Sequence, residues 1–349
     1  MNTRHASLAA SGAARLVRQI VSGWRTQAIH AAVQLGFPDH LAGKPLSPGE
    51  LAAATDCSPG ATARLLRALC VLGVCREGAD GRFRLTRAGR LLCVDGGGEG
   101  CSLRPLVAWW GGPLWPLWAE LAYSVRTGES ARERLMGDKH YRHLDRDAAL
   151  ADTFHGAMRA MTALIADEVV AWPGWRETAT AVDVGGGHGQ LLLAVLAAHT
   201  HVHGTVFDTA TAQAGALAQI DDAGLAGRAG FVAGDFFDAL PAGADCYVLK
   251  SILHNWDDDA CAAILANCRR AAPGHARLLI VERLRPARLH ECVADEGVAR
   301  TDLNMLAGLG GCERTLEQYA AMLDGAGFAV AGCWRTGFEF SLVEARRRD

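Results

Sequence analysis

AVDVGGGHGQ, residues 181–190, is the stretch from which the rest of the chain is read. Apolar residues on either side of one acid, Asp183, give a short buried strand, and a run of glycines follows with no spacer. Gly185, Gly187 and Gly189 let the backbone turn sharply and approach a ligand with no Cβ in the way. The loop alone is a weak signal, because dinucleotide sites use a similar one. A GxGxxG fingerprint beginning at Gly185 would need a glycine where Gln190 stands. Asp183, two residues before the loop, suits a ligand that carries an ammonium group. The plain alternative is a tight strand-to-helix turn with no ligand.

Downstream, the apolar runs HVHGTVFD, AGFVAGD, DCYVLK and ARLLIVE alternate with helical segments. That alternation marks an open α/β sheet. Asp208 ends the first of these runs, about twenty residues past the loop, where a carboxylate can accept both hydroxyls of a ribose. Taken alone, Asp208 would read as a helix cap. In GDFFD, Asp235 can accept from an adenine amino group and Phe236 can lie against the ring. Ordinary core packing competes for Phe236. LKSILHNWDDD, residues 249–259, reads as a buried strand that finishes on His254. That histidine is either a satisfied core residue or one that moves a proton at a pocket mouth.

Upstream, Leu16, Ile20, Trp24, Ile29, Val33 and Leu35 predict one amphipathic helix over residues 12–35. LSPGELAAATDCSPGATARLLRALCVLGVC predicts two short helices, the first capped by Ser47 with Glu50 and the second opened by Ser58 and Pro59. REGADGRFRLTRAGRLL predicts a β-wing, which completes a winged-helix pattern. Trp109, Trp110, Trp115 and Trp118 then cluster around a Gly-Gly-Pro break. A long helix over about 146–172 carries Phe154, Met158, Met161 and Ile165. The expected division is residues 1–100, a helical connector over 101–172, and an α/β domain over 173–349.

The formal net charge of −3 argues against bulk affinity for nucleic acid or an anionic membrane. No uncharged apolar stretch of about 20 residues is present, so no membrane span is expected. The N-terminus lacks an apolar core followed by a cleavage site, so no secretory leader is expected. Eleven scattered cysteines with no CxxC pair point to reduced thiols and a cytoplasmic protein. His199, His201 and His203 could suggest a metal, but they precede the second strand, at the edge away from the glycine loop.

VDVGGGHG, FD, GDFFDALPAGADCYVLKSILHNWDDDACAAIL and GGCERT together resemble the S-adenosylmethionine-dependent O-methyltransferases of the plant caffeate and isoflavone type and their actinobacterial natural-product relatives. QAIHAAVQLGFPDHLAG and ATARLLRALCVLGV resemble that family's dimerisation domain, so nearly the whole chain is covered. The resemblance implies a class I methyltransferase Rossmann-like sheet behind an N-terminal, mainly α winged-helix dimerisation domain. It implies S-adenosylmethionine as cofactor, S-adenosylhomocysteine as product, no metal, and a homodimer. It makes His254 the general base, flanked by Glu282 and Glu313, and sets Lys250, with Ser251 beside it, near the cofactor. Asn255 stands where the plant enzymes commonly carry aspartate. TDLNML resembles a helix lining the acceptor pocket, with Asp302, Asn304 and Met305 as candidates. Met158, Met161 and the tryptophans are candidates for the opposite wall.

The expected reaction is methylation of a phenolic hydroxyl on a small aromatic metabolite. Methylation of carbon or nitrogen, or a hydroxylation or cyclisation without methyl transfer, keeps the same fold and cofactor. A DNA-binding regulator is the other class to weigh, but Arg64 and Arg67 sit among Leu65, Leu66 and Leu69, too apolar a helix for a groove reader.

Overall fold

The computed structural model describes residues 12–98, 100–137, 141 and 144–348. Much of the N-terminal stretch read for a leader lies outside these. The chain forms two compact units that divide between Trp115 and Pro116, and the segment 116–172 belongs to the unit with the large sheet. Among the described residues no helix is long and apolar enough to cross a membrane.

In the first unit the helix expected over 12–35 is two helices, Gly12–Ile20 and Trp24–Gln34. The break falls at Val21-Ser22-Gly23, three residues that each favour the helix weakly. Val33 is buried, but Leu16, Ile20 and Trp24 are 55%, 71% and 41% exposed, so the N-terminal half of that apolar stripe adds nothing to the core. The helix Pro48–Ala54 opens with the expected capping box: the Glu50 amide donates to the Ser47 hydroxyl at 3.3 Å and the Ser47 amide to Glu50 at 2.7 Å. The helix Pro59–Val71 starts where predicted, although Ser58 makes no side-chain cap. β1 (Cys75–Glu77) and β2 (Phe83–Leu85) pair antiparallel as the wing, and Leu46 bridges to Phe83. Leu51, Leu66, Leu69 and Phe83 close the core beneath.

In the second unit the helix expected over 146–172 is interrupted: Ala148–Ala163 ends at Leu164 and a short helix, Ala166–Val170, follows. The sheet then builds from β3 (Thr180–Val184), β4 (His203–Asp208), β5 (Ala229–Ala233), β6 (Cys246–Lys250), β7 (Arg277–Glu282), β8 (Phe328–Arg335) and β9 (Ser341–Arg347), in the order β5-β4-β3-β6-β7-β9-β8. The first five are parallel, while β9 pairs antiparallel with β7 and with β8. The last two strands extend the edge beyond those read from the sequence.

Burial on both faces explains the continuous apolar runs. Cys246 and Val248 face one core cluster with Leu279 and Val281, while Tyr247 and Leu249 face the other with Leu278 and Ile280. The strand order reverses between β3 and β6, and at such a switch point the crevice beyond the strand ends receives ligands. The candidate residues collect at that edge.

Candidate active site

At the end of β3, Gly185, Gly187 and Gly189 all take positive φ, at 68°, 57° and 79°. A side chain at Gly185 would collide: its Cβ would stand 2.4 Å from Ile252 Cδ1, with Phe236 Cε1 at 3.7 Å. The glycine therefore brings the loop, the turn after β6 and the Phe236 ring together. Asp183 lies beneath the loop, 3% exposed, with its carboxyl carbon 2.7 Å from where a Gly186 Cβ would be. Burial pushes its pKa up to about 7, the nearby Asp208 adds to the rise, and Lys250 opposes it.

Asp208, the last residue of β4, accepts from the Gly187 amide at 2.7 Å and from the Thr209 amide at 2.7 Å. Desolvation raises its pKa and these amides counter that rise. Asp235, just past β5, accepts from the Phe237 amide at 2.8 Å. Phe236 meets the Phe237 and Trp256 rings edge-on at 5.0 and 5.9 Å, so it packs and borders the loop at once. Lys250 ends β6 with its ammonium 3.4 Å from the Ser251 hydroxyl. Desolvation and the Arg283 charge push its pKa down to about 8, against Glu282 and Asp183.

The backbone then does something an L residue resists. Ser251 has φ 56°, a left-handed conformation that costs roughly 1–3 kcal/mol away from glycine. This turn swings the chain across the end of β7, where Glu282 is the last residue. Glu282 Oε1 accepts from the Ile252 amide at 3.0 Å and from the His254 amide at 3.3 Å. Asn255 donates back to the Ser251 carbonyl at 2.9 Å and closes the turn.

His254 sits in that turn, 5% exposed, and both glutamates converge on the same nitrogen. Nδ1 lies 3.2 Å from Glu313 Oε1 and 3.5 Å from Glu282 Oε2, so Nε2 is the nitrogen that neither carboxylate engages. Burial alone would lower the imidazole pKa, but the two carboxylates outweigh it and raise it. The glutamates part company. Burial raises Glu282, whereas His254 overrides burial at Glu313 and lowers it. We read Glu313 as the anionic partner, since it has the shorter contact. Each of the three residues offers one atom within 4.8 Å of the others, a spacing a divalent cation could span.

The segment carrying Glu313 is locked onto the turn. A Cβ at Gly311 would stand 2.1 Å from the His254 carbonyl oxygen, so only glycine allows this approach. Asp302 accepts from the Glu313 amide at 2.8 Å. Arg314, 2% exposed, donates to the Leu253 and Trp256 carbonyls and pairs with Asp258 at 2.7 Å. Asp302, expected on the acceptor wall, thus holds a catalytic candidate in place. In the same helix, Val293–Gly308, Asn304 is half-buried and Met305 buried. Across in the helix Ala148–Ala163, Met158 is half-buried, and Met161 packs against the core under the sheet.

Three participants were not singled out from the sequence. Arg283 stands among Lys250, His254 and Glu313, where its charge acts on each. His188 and His155 stack at 4.3 Å beside the loop. His188 was visible in the glycine motif, but nothing in its spacing indicated a stacking partner more than thirty residues away. By contrast, His199 and His201 bond the Val170 and Trp175 carbonyls at 2.9 and 3.0 Å, at the opposite end of β4.

Residues 118–329 match the family of O-methyltransferase domains, and residues 18–95 match the O-methyltransferase dimerisation domain. An O-demethylpuromycin O-methyltransferase of Streptomyces alboniger is 38% identical, with 96% of this chain and 89% of that one covered. An O-methyltransferase from neocarzinostatin biosynthesis, solved with S-adenosylmethionine and 2-hydroxy-5-methyl naphthoic acid, superposes with a TM-score of 0.76 at 33% identity, over 92% of this chain and 95% of that one. An aclacinomycin 10-hydroxylase of Streptomyces purpurascens is also similar, at 33% identity over 91% of this chain and 86% of that one.

Proposed function

We propose a reaction for this chain from one premise: it belongs to the O-methyltransferase family, and its second unit has the class I methyltransferase fold. The reaction is transfer of a methyl group from S-adenosylmethionine to a phenolic hydroxyl of a small aromatic metabolite. The observation that carries it is His254 at the switch point of the sheet, with Nδ1 bonded to the buried Glu313 carboxylate and the buried Glu282 carboxylate 3.5 Å from the same nitrogen.

The residues at the strand ends fit the cofactor. At Gly185, Gly186 and Gly189 the loop has no room for a side chain, and Asp208 beside it keeps a lone pair on Oδ2 for a hydroxyl, since Oδ1 already accepts from the Thr209 amide and hydroxyl. Asp235 and Phe236 would take the adenine, and Lys250, Ser251 and Asp183 the methionine end. When bound, S-adenosylmethionine supplies a methyl already activated by its sulfonium. What remains for the chain is to position the acceptor and remove its proton.

A phenol titrates near 10, so ionising it unaided at neutral pH costs about 4 kcal/mol. His254 Nε2 takes that proton as the new bond forms, a gain of roughly 10²–10⁴. Glu313 keeps the other proton on Nδ1, so the lone pair faces the acceptor, and then stabilises the imidazolium. Glu282 fixes the turn through two amides and adds a second negative charge. No step calls for a metal. Met158, Asn304 and Met305 are assigned to the acceptor walls.

The dimerisation match and the exposed Leu16, Ile20 and Trp24 support a homodimer through the first unit. The likeness to a hydroxylase favours keeping a second reaction open on the same fold. A panel of hydroxylated aromatics with S-adenosylmethionine, read by mass spectrometry, separates them. Methylated product with stoichiometric S-adenosylhomocysteine is expected. Hydroxylated or cyclised product without it overturns the reading.

A further inference from the structure

Four arginines of the second unit are buried among the described residues, and three have anionic partners. Arg277 pairs with Glu177 and Glu344, Arg283 with Glu339, and Arg314 with Asp258. Arg132, 5% exposed in the helix Ala131–Met136, is the exception. Its Nη1 is buried with no hydrogen-bond partner among the described residues. Desolvation lowers its pKa, and among the described residues the group that counters this is the Tyr141 phenol. An uncompensated buried guanidinium is costly, and such a group marks a candidate ligand site.

Its position says which ligand. The Ser130 hydroxyl, which caps this helix, donates to the Gly308 carbonyl at 2.7 Å. The guanidinium lies over Gly308, where a Cβ would stand 3.3 Å from Nη2. Gly308 ends the helix that carries Asn304 and Met305 one turn earlier, and Asp302, the residue that holds Glu313. From Tyr141 an aromatic chain runs back to the glycine loop: Phe154 at 5.2 Å, His155 at 5.3 Å from Phe154, then His188 at 4.3 Å. Tyr141 also feels the charges of Arg132, Asp208 and Glu282 together. The unpaired cation thus lies against the helix that carries the acceptor-wall candidates, buried and away from the surface.

We propose that Arg132 receives a carboxylate of the acceptor, so the acceptor class is hydroxylated aromatic acids. A planar guanidinium fork matches a carboxylate in two parallel hydrogen bonds, which also fixes the ring's orientation. The assignment rests on the methyl-transfer reading above and narrows it.

The test uses the full-length protein, with hydroxybenzoates and hydroxynaphthoates set against their methyl esters. The wild type should favour the acids by about tenfold or more in kcat/KM. Arg132→Met should erase that preference by raising KM for the acids, with little change in kcat on the esters, and Arg132→Lys should restore part of it. Thermal melting should show Arg132→Met at least as stable as the wild type, because it removes an unpaired buried charge. Acids and esters methylated equally well by the wild type overturn the assignment but leave methyl transfer standing. If the whole panel goes unmethylated, methyl transfer to phenols fails. Calorimetry of 1-hydroxy-2-naphthoate binding to the S-adenosylhomocysteine-loaded protein then decides Arg132: binding lost in Arg132→Met supports the carboxylate contact, and equal or absent binding in both proteins overturns it.

Discussion

His188 follows β3 and His254 follows β6, adjacent strands of one sheet, yet their imidazoles are tuned in opposite directions. Burial lowers the pKa of both. At His254 two carboxylates face one nitrogen and reverse the effect. At His188 the stacked neighbour is another imidazole, His155, and burial together with the charges of His155 and Arg159 pushes its pKa down to about 4. Residue type thus decides little here, and the partner decides the direction of the shift. The imidazole beside the carboxylates is the one proposed to carry a proton. The other stays neutral beside Asp208, where a second positive charge would compete with a sulfonium cofactor.

The largest effect should come from His254→Ala. It removes the base and leaves the glycine loop and Asp208 intact, so calorimetric affinity for S-adenosylmethionine should hold while turnover falls about 10²-fold or more. Raising the pH should restore part of the rate, because the phenol then ionises unaided. Near-normal turnover in the variant would make His254 structural, like His188, and the contrast would collapse to packing.

Asp208→Ala tests the other side of the comparison. Loss of a charged acceptor to buried hydroxyls should weaken cofactor binding by roughly ten- to a hundredfold, about 1.5–3 kcal/mol. Turnover at saturating cofactor should change less. An unchanged Kd would mean that Asp208 serves only the Gly187 and Thr209 amides it already accepts from.

The strand ends were legible because an open sheet receives ligands there, and Asp208 and Asp235 fall at or just past a carboxyl end; Lys250 and Glu282 stand at such ends too, but the resemblance named them. Other features left no local trace. Glu282 and Glu313 meet His254 from far along the chain, so no spacing links them, and only a family likeness did. That both converge on Nδ1 is a property of the Ser251 turn and the Gly311 contact, neither of which is a pattern in the sequence. Arg132 lies in ARERLM, a segment with no motif of its own, and its guanidinium meets Gly308 of a helix far along the chain. β8 escaped notice because most of its residues are exposed or half-buried, so it lacks the apolar run of an inner strand.

Glu313→Gln should have a smaller effect, roughly tenfold on turnover, since it orients the base without taking the proton. It also carries a sign. The rate should rise as His254 loses its proton and then level off. Glu282 and Glu313 hold that pKa above the ordinary 6.5, with Arg283 opposing, so the wild-type plateau begins above that value. Removing one carboxylate should move the inflection to lower pH while lowering the plateau. A profile that stays in place would assign the elevation to Glu282 alone.

The smallest effect is expected at His188→Gln. With a pKa pushed down to about 4, His188 is neutral across pH 5–8, so it cannot produce an inflection there. Glutamine keeps a polar planar end of similar reach over Gly215, where a Cβ would stand 2.3 Å from His188 Nε2, so the loop should keep its shape. Cofactor affinity should shift by less than about threefold, the cost of one exchanged stacking contact. The pH–rate profile should overlay that of the wild type. If the inflection vanishes in His188→Gln and survives in Glu313→Gln, the titrating imidazole is the one beside the glycine loop. Charge at the cofactor would then control the rate, and His254 would be the neutral partner of the pair.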